Sequence, residues 1–283
     1  MVKVRIKRTA TRLLGQLGLY ERFKASCLYD FYWSLAEPGV ITARTQEVEF
    51  YRGVLAGLRP GDLIFDVGAN QGYKTDIFLR LGARVVAVDP DPANHKRLAE
   101  KFLRYRVRPR PVRIVRSALS DRAGVAMLWM DSPGSGKNTL SSKWVDVLRH
   151  DHQRFDEQLE FGEKKEVETT TLDSLVREHG TPFFVKIDVE GFEVEVLGGL
   201  SRPVRYLSFE MNLPEFAREG ERCVSHLNAM CNAGEFNYAA DCKAGLALGK
   251  WLPANEFINV LRGIQCPSVE VFWRTAETCG PPC

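Results

Sequence analysis

The residues best suited to ligand chemistry are a glycine-rich turn and an acidic residue about twenty positions later. The turn contains Asp66, Gly68, Asn70 and Gly72, and the acidic residue is Asp89. Gly68 permits a tight turn, Gly72 lets the next helix pack closely, and Asn70 tolerates left-handed backbone angles. A carboxylate at position 89 can accept hydrogen bonds from both hydroxyls of a ribose. The spacing therefore predicts a site for an adenosine-type cofactor.

The charge of Asp66 discriminates between cofactors of this type. In dinucleotide-binding folds, a pyrophosphate lies over the N-terminus of the helix that follows such a turn. A carboxylate at Asp66 repels that group, whereas it attracts the ammonium group of an amino acid. S-adenosylmethionine carries this ammonium group and a dinucleotide does not. The turn therefore favours S-adenosylmethionine.

Three more acidic residues, Asp188, Glu190 and Glu210, stand at the ends of two consecutive predicted strands. The carboxyl ends of parallel strands open into one crevice, so we expect these carboxylates beside the cofactor. A carboxylate there can take a proton from a substrate, and Mg²⁺ also prefers oxygen ligands. We predict that all three are catalytic; Mg²⁺ is left open and no metal ligand is predicted. The alternative bases are His150, His152 and His179.

Alternating strand and helix patterns must position these residues. Short apolar runs predict strands, and the segments between them have the apolar spacing of helices. This alternation predicts an α/β fold with a doubly wound, Rossmann-like, mostly parallel sheet of seven strands. The predicted strands are residues 63–67, 84–88, 112–115, 183–187, 204–209, 236–240 and 257–261, and the main helices are 45–58, 72–81, 92–105, 192–200 and 216–232.

The pattern divides the chain into three parts. Residues 1–45 form an N-terminal helical extension, in which apolar residues recur at helical spacing among basic ones. Residues 46–265 form the α/β domain. Residues 266–283 form a C-terminal tail that ends in a Gly-Pro-rich stretch. We therefore expect one domain with an extension at each end.

An insert at about residues 123–170 interrupts the αβ rhythm. Two β-like pieces, 125–130 and 166–170, flank a polar segment that is rich in Gly and Ser at its start. We expect an added β-hairpin with a long loop, residues 132–165, at its tip. Long loops in compact domains are often functional, so this loop is a candidate mobile lid over the site.

The composition is that of an ordinary globular protein, with 45% hydrophobic and 27% charged residues. No apolar run reaches the length of about 18 residues that a membrane span needs, and no apolar segment typical of a secretion signal follows the basic N-terminus. We therefore expect a cytoplasmic protein. The seven cysteines are irregularly spaced and form no C-x-x-C pair, which favours unpaired thiols.

The two motifs resemble a known family. Asp-Val-Gly-Ala-Asn-Gln-Gly at 66–72, followed by Val-Asp-Pro-Asp-Pro at 88–92, resembles class I methyltransferases. Lys-Ile-Asp-Val-Glu-Gly-Phe-Glu at 186–193 resembles the signature of the FkbM-type methyltransferases. The resemblance covers residues 47–212 and implies an S-adenosylmethionine-dependent methyltransferase. Many members are thought to methylate hydroxyl groups of sugars or natural products, so it also implies O-methylation of a small-molecule hydroxyl acceptor.

The resemblance assigns roles to individual residues. Asp66, Gly68 and Gly72 would line the methionine part of the cofactor, and Asp89 would hold the ribose. Asp188 and Glu190 would face the methyl group and the acceptor. The remaining predicted cofactor-binding residues are Ser117 and Ala118 beside the adenine, Asn70 in the turn, and Asp188 itself. Homo-oligomerisation is left open.

Two other functions compete with this interpretation. The net charge of +3 does not by itself indicate nucleic acid, but a basic run suggests an acidic substrate: Arg104, Arg106, Arg108, Arg110, Arg113 and Arg116. Enzymes that methylate exocyclic amines of bases need an Asn/Asp-Pro-Pro-aromatic loop after the fourth strand, where this chain has residues 188–191, Asp-Val-Glu-Gly. Nucleic acid is therefore the less favoured partner. A module that binds the cofactor without catalysis is the other alternative.

Overall fold

The computed structural model describes residues 38–103, 111–151, 154 and 159–275. Its helices and strands follow one another in the order α1 (Pro38–Val54), β1 (Leu63–Val67), α2 (Tyr73–Arg80), β2 (Arg84–Val88), α3 (Pro92–Lys101), β3 (Val112–Val115), β4 (Ala118–Leu119), β5 (Gly124–Met130), α4 (Ser142–His150), β6 (Glu163–Thr170), α5 (Leu172–His179), β7 (Phe184–Ile187), α6 (Glu193–Gly198), β8 (Tyr206–Asn212), α7 (Ala217–Met230), β9 (Glu235–Ala239), β10 (Leu252–Pro253), α8 (Ala254–Leu261) and β11 (Ser268–Arg274).

The central sheet has eight strands in the order β10-β9-β11-β8-β7-β1-β2-β3. Strands β3, β2, β1, β7 and β8 are parallel to one another, whereas β11 runs antiparallel between β8 and β9. The predicted doubly wound, mostly parallel α/β fold is thus confirmed. The described sheet has one strand more than predicted, and its edge strand β10 is only two residues long.

The central strands are fixed by burial on both faces. Every residue of β1 is buried, and alternate residues join different hydrophobic clusters: Leu63 and Phe65 pack on one face, and Ile64 packs on the other. A parallel sheet covered on both sides requires such continuous apolar strands. The sheet holds the carboxyl ends of β1, β2 and β7 side by side. The glycine-rich turn, Asp89 and Asp188 follow these three strand ends.

The C-terminal part of the domain differs from the prediction. Residues 257–261, predicted as a strand, belong to helix α8. Its buried residues Ala254, Phe257 and Leu261 have the spacing of a helix face, but a short apolar run does not by itself distinguish helix from strand. The residues predicted to form a tail from 266 contain β11, which pairs with both β8 and β9 inside the sheet. The sheet therefore extends beyond the predicted boundary at 265.

The predicted hairpin is present. Strands β5 and β6 pair antiparallel, and β4 pairs with β6 to complete a small second sheet. The segment between β5 and β6, residues 131–162, is called the excursion below. It carries helix α4, whose Trp144 and Leu148 are fully buried together with Phe161 and with Phe216 of the main domain. The excursion is thus packed onto the domain through its own apolar cluster.

Several expectations fall outside the described residues or change at their edges. The N-terminal extension is described only from residue 38, and Arg104 to Arg110 and His152 lie outside the described residues. Helix α3 ends at Lys101, four residues earlier than predicted.

Cys223, Cys242 and Cys266 are unpaired as expected, whereas Cys231 is disulfide-bonded. In the described ranges, no helix has the length and apolar character needed to cross a membrane.

Candidate active site

The turn after β1 depends on glycine at Gly68. Its φ is +80°, and a Cβ atom there would lie 1.7 Å from the backbone oxygen of Asp188. The Gly68 and Ala69 amides both donate to the Val88 carbonyl, at 2.9 and 3.0 Å. The turn is therefore pressed between the ends of β2 and β7, as the sequence predicts for a loop that brings backbone close to a ligand.

Asp89 lies directly beside this turn. Its carboxylate accepts hydrogen bonds from the backbone amide of Asn70 (2.8 Å), the backbone amide of Asp91 (2.9 Å) and Nδ2 of Asn94 (3.3 Å). Burial raises the pKa of Asp89 to about 6, although these hydrogen bonds partly oppose the shift. Three hydrogen bonds thus hold the Asp89 carboxylate at the wall of a cavity.

A cavity of about 330 Å³ opens at the carboxyl ends of β1, β2 and β7. The predicted site residues that line it are Gly68, Asn70, Asp89, Ser117, Ala118, Asp188 and Glu190. The excursion supplies another wall through Ser135, Gly136, Lys137, Asn138 and Leu140. The sequence indicated a lid from the length and polarity of this segment, but not which residues would face the cavity.

Three predicted residues do not line this cavity: Asp66, Gly72 and Glu210. Asp66 is 1% exposed, and its carboxylate accepts a hydrogen bond from the Thr75 hydroxyl. Burial raises its pKa, which Lys186 partly opposes. Gly72 packs against Leu98 and Phe102 of α3 and the residue that follows it. Both residues shape the turn from behind rather than from its open side.

The cavity carries unpaired polar atoms that suit an adenosine-containing ligand. Oδ1 of Asn70 and Oδ1 of Asn94 are buried and have no hydrogen-bond partner among the described residues. A buried acceptor without a donor is unfavourable, so both atoms are suited to receive donors from a ligand. Adenosine offers such donors through its ribose hydroxyls and its amino group. Together with Asp89 and the close approach at Gly68, the residues present fit S-adenosylmethionine.

Asp188 forms an ion pair with the buried side chain of Lys186. Nζ of Lys186 lies 2.6 Å from Oδ2 of Asp188, and the lysine is 3% exposed. Burial by itself lowers the pKa of Lys186, but the charges of Asp188, Glu270 and Asp66 raise it above its ordinary value. Burial opposes ionisation of Asp188 as well, yet Lys186 holds the pKa of Asp188 below its usual range. Asp188 is therefore an ionised carboxylate that faces the cavity.

Asp188, Glu190 and Glu210 come together as predicted. One carboxylate oxygen from each lies within 4.8 Å of the others. Burial and the charges of Asp188 and Glu190 raise the pKa of Glu210 well above its usual range, and its carboxyl is hydrogen-bonded to Asp188. Burial, followed by the charge of Asp188, raises the pKa of Glu190 to about 8. The cluster therefore combines one ionised and two readily protonated carboxyl groups.

Of the predicted alternative bases, His150 and His179 lie away from the cavity, and His152 is outside the described residues. His150 is exposed, and its Nδ1 is hydrogen-bonded to the Asp146 carbonyl. His179 ends α5 and contacts the ring of Phe65. Sequence reasoning missed two residues that do act on the carboxylates, Lys186 and Trp144. Lys186 is part of the quoted signature, and its spacing of two from Asp188 on a strand was a usable signal; nothing in the sequence indicated Trp144.

Comparison with known proteins decides the family. The profile of the methyltransferase FkbM domain matches residues 66–236. The chain belongs to the FkbM methyltransferase family. The 31-O-demethyl-FK506 methyltransferase FkbM of Streptomyces tacrolimicus is 32% identical over 162 residues, which cover 50% of this chain and 61% of that protein. The chain thus spans about three-fifths of this relative.

A solved structure supports the fold. The crystal structure of methyltransferase FkbM from Methylobacillus flagellatus superposes with a TM-score of 0.50 at 12% sequence identity. The superposition covers 80% of this chain and 47% of that chain. Family membership brings S-adenosylmethionine as the expected cofactor, in agreement with the groups that line the cavity.

If Asp89 holds the ribose, affinity for the cofactor product S-adenosylhomocysteine is expected to fall as the pH is lowered through about 6. The ribose hydroxyls would donate to the ionised form of Asp89, whose raised pKa is about 6. At neutral pH, Asp89→Asn should bind at least about tenfold more weakly, as expected for a lost charge-assisted hydrogen bond of about 1.5–3 kcal/mol. Isothermal titration calorimetry between about pH 5 and pH 8 measures both effects.

Asp76→Asn is the matched control for this experiment. Asp76 is also a buried acid close to the turn, but it pairs with Arg80 and does not line the cavity. This variant should keep the affinity and the pH dependence of the wild type. If Asp89→Asn binds as the wild type does across the pH range, the assignment of Asp89 to the ribose is wrong.

Proposed function

We propose that the chain is an S-adenosylmethionine-dependent O-methyltransferase that methylates a hydroxyl group of a sugar or a natural-product-like small molecule. The observation that carries the proposal is the cluster of Asp188, Glu190 and Glu210 at the edge of the adenosine-type cavity. The family supports methyl transfer. The name of the Streptomyces tacrolimicus relative, a 31-O-demethyl-FK506 methyltransferase, supports an oxygen acceptor on a natural product.

Different residues would bind the cofactor and accept the proton of the acceptor. The turn at Gly68 and the side chains of Asn70, Asp89 and Asn94 would hold the cofactor. When bound, S-adenosylmethionine supplies a methyl group on a positively charged sulfur, which keeps the electron pair of the S–C bond as a neutral thioether. The acceptor oxygen forms the new bond to carbon, and its proton moves to a carboxylate of the protein. Holding the acceptor in line contributes most in such reactions, up to roughly 7–11 kcal/mol in ideal cases.

The carboxylate cluster suits this acceptor class. A hydroxyl oxygen becomes a strong nucleophile only as its proton leaves, so it needs a base whose pKa is close to the working pH. Glu190, with a pKa of about 8, meets this condition. The ionised Asp188 also places a negative charge at the cavity, which favours a cationic methyl donor.

Transfer of a radiolabelled methyl group from S-adenosylmethionine tests the proposal. A panel of sugars, macrolide-type alcohols and nucleic acids should give a labelled product only with small hydroxyl compounds. The product should resist alkaline hydrolysis, because a methyl ether is stable where a methyl ester is cleaved. Labelled nucleic acid without any labelled small molecule would support the alternative drawn from the arginine run. Cofactor binding without transfer to any acceptor would indicate a non-catalytic module.

A further inference from the structure

We infer that Glu190 is the residue that takes the proton from the acceptor hydroxyl, and that Trp144 of the excursion is the residue that positions it. The inference rests on the proposed function and goes beyond it, because it selects one base from three carboxylates and assigns a task to the excursion. The proton moves from the acceptor oxygen to a carboxylate oxygen of Glu190 as that oxygen bonds to carbon.

The excursion holds Glu190 at two points. The indole Nε1 of Trp144 donates to Oε2 of Glu190 at 2.9 Å, and the hydroxyl of Thr139 donates to the backbone oxygen of Glu190 at 2.7 Å. Glu190 also has a φ of +57°, in the left-handed region that non-glycine residues rarely adopt. Such strain persists where surrounding contacts hold it, and it is common at functional sites.

Trp144 is itself held in place by the residues packed around it. Trp144 is fully buried, and its ring meets the edge of Phe216 with centroids 5.5 Å apart. Helix α4 is capped at its N-terminus by Ser141, whose hydroxyl accepts a hydrogen bond from the Trp144 backbone amide. Phe216 in turn packs against Gly191, where a Cβ atom would lie only 2.6 Å from its ring. The indole N–H is thus fixed in direction, and so is the carboxylate that receives it.

The other two carboxyl groups are less suited to take the proton. Asp188 is bound to Lys186 at 2.6 Å, and an acid paired in this way is a weak base. Glu210 accepts a hydrogen bond from the Ser268 hydroxyl at 2.8 Å and does not line the cavity. Glu190 does line the cavity. Among the described residues, Trp144 is the hydrogen-bond donor to its carboxylate, at Oε2, which leaves Oε1 for the acceptor.

Charged groups on each neighbouring element act on Glu190. Burial, Asp188 of the β7 end and Glu193 of α6 oppose its ionisation, whereas the Trp144 N–H of α4 and Lys186 of β7 favour it. The charge of Glu190 in turn raises the pKa of Glu210 in β8. On the far side of Trp144, the guanidinium of Arg154 lies 5.0 Å from the ring centroid. The balance leaves the pKa of Glu190 at about 8. Removing the indole donor should raise it further, because the ionised form loses a hydrogen bond.

The first test needs no acceptor. In full-length protein labelled with ¹⁵N-tryptophan, the Trp144 indole signal is identified as the one lost in Trp144→Phe. We expect this signal to titrate with an apparent pKa of about 8, and the step to disappear in Glu190→Gln. A Trp144 indole signal that titrates identically in Glu190→Gln would overturn the hydrogen bond on which the inference rests.

The second test measures turnover against pH. With an acceptor from the panel, Glu190→Gln should lower kcat by about 10²–10⁴-fold while S-adenosylhomocysteine binds as tightly as before. Trp144→Phe keeps an aromatic ring but removes the N–H, so the acid limb of the kcat profile should move upward by about one to two pH units. Trp129→Phe is the matched control, because no hydrogen bond joins the Trp129 indole N–H to a described residue. The acid limb of the kcat profile should not move in this variant.

The outcomes separate the inference from the proposed function. Wild-type turnover that Glu190→Gln retains would leave the proposed function standing and overturn the inference. A Trp144→Phe variant with a lower kcat and an unmoved acid limb would show a structural role only, and would also overturn it. If the wild type binds S-adenosylhomocysteine but methylates no acceptor, the proposed function is wrong. The assignment of Glu190 as the base is then wrong as well, even if the indole titration is observed.

Discussion

Replacing Gly68 by alanine is expected to weaken cofactor binding strongly and to destabilise the fold. The new Cβ atom would lie 1.7 Å from the Asp188 backbone oxygen and 2.8 Å from its carbonyl carbon. These are backbone atoms, so no side-chain rotation relieves the overlap. Either the turn or the end of β7 must move, and both line the cavity. We expect S-adenosylhomocysteine to bind at least about a hundredfold more weakly, a loss of about 2.8 kcal/mol.

Gly61→Ala is the matched control for this change. Gly61 has a similar φ of +91°, but no atom lies within 4 Å of the position of its Cβ. In both variants, placing an alanine in the left-handed backbone region costs about 1–2 kcal/mol of stability. In Gly68→Ala alone, the overlap of its Cβ atom with Asp188 adds to this cost. Denaturant unfolding and calorimetry of both variants separate the two effects. Equal losses of stability in the two, with cofactor affinity retained in Gly68→Ala, would contradict the close approach of the turn to β7.

The sequence predicted those parts of the fold that local patterns determine. Residues 63–67 are apolar except for Asp66, and a short apolar run that ends in a glycine turn is typical of a strand buried on both faces. Because parallel strands end on one edge of the sheet, the ends of β1, β2 and β7 could be placed together without any knowledge of side-chain contacts. The meeting of Asp188 with Glu190 and Glu210 follows from the same rule.

The features that sequence missed depend on contacts between distant residues. The hydrogen bond from Trp144 to Glu190 spans 46 positions, and nothing in the polar excursion indicates that its tryptophan turns inward. Strand β11 alternates buried and partly exposed residues only weakly, and its place between β8 and β9 is decided by pairing on both edges. The position of Asp66 away from the cavity also depends on a partner, the Thr75 hydroxyl in α2.

Neutralising Lys186 is expected to have the largest effect on stability. In Lys186→Met the carboxylates of Asp188, Asp66 and Glu270 lose one of the two cations that act on them in the described part of the chain, and only Lys74 remains. Breaking a buried pair by removing one partner costs about 3–5 kcal/mol of the free energy of unfolding. Asp188→Asn should cost less, because Asp188 is 34% exposed and partly screened by water, while the lysine keeps two other acids.

The double variant Lys186→Met with Asp188→Asn isolates the ion pair. It removes both charges, so we expect it to be more stable than Lys186→Met alone, with a coupling energy of about 0.5–3 kcal/mol between the two positions. Denaturant unfolding of the wild type, both single variants and the double variant supplies the full cycle. Effects that add without coupling would show that the 2.6 Å contact contributes nothing to folding.

The stability difference between the wild type and Lys186→Met should shrink as the pH falls. Lys186 holds the pKa of Asp188 below its usual range, so in the wild type this carboxylate contributes stability above its unfolded pKa and loses it as the pH falls through the folded pKa. In Lys186→Met the folded pKa of Asp188 is expected to lie above the unfolded one, since burial is the largest influence on it and only the weaker effects of the Glu210 hydrogen bond and the Lys74 charge still oppose it. That variant therefore regains stability on acidification. Unfolding curves at about pH 7.5 and about pH 5 should converge, and a difference that widens at the lower pH would contradict the ion pair as the source of the effect.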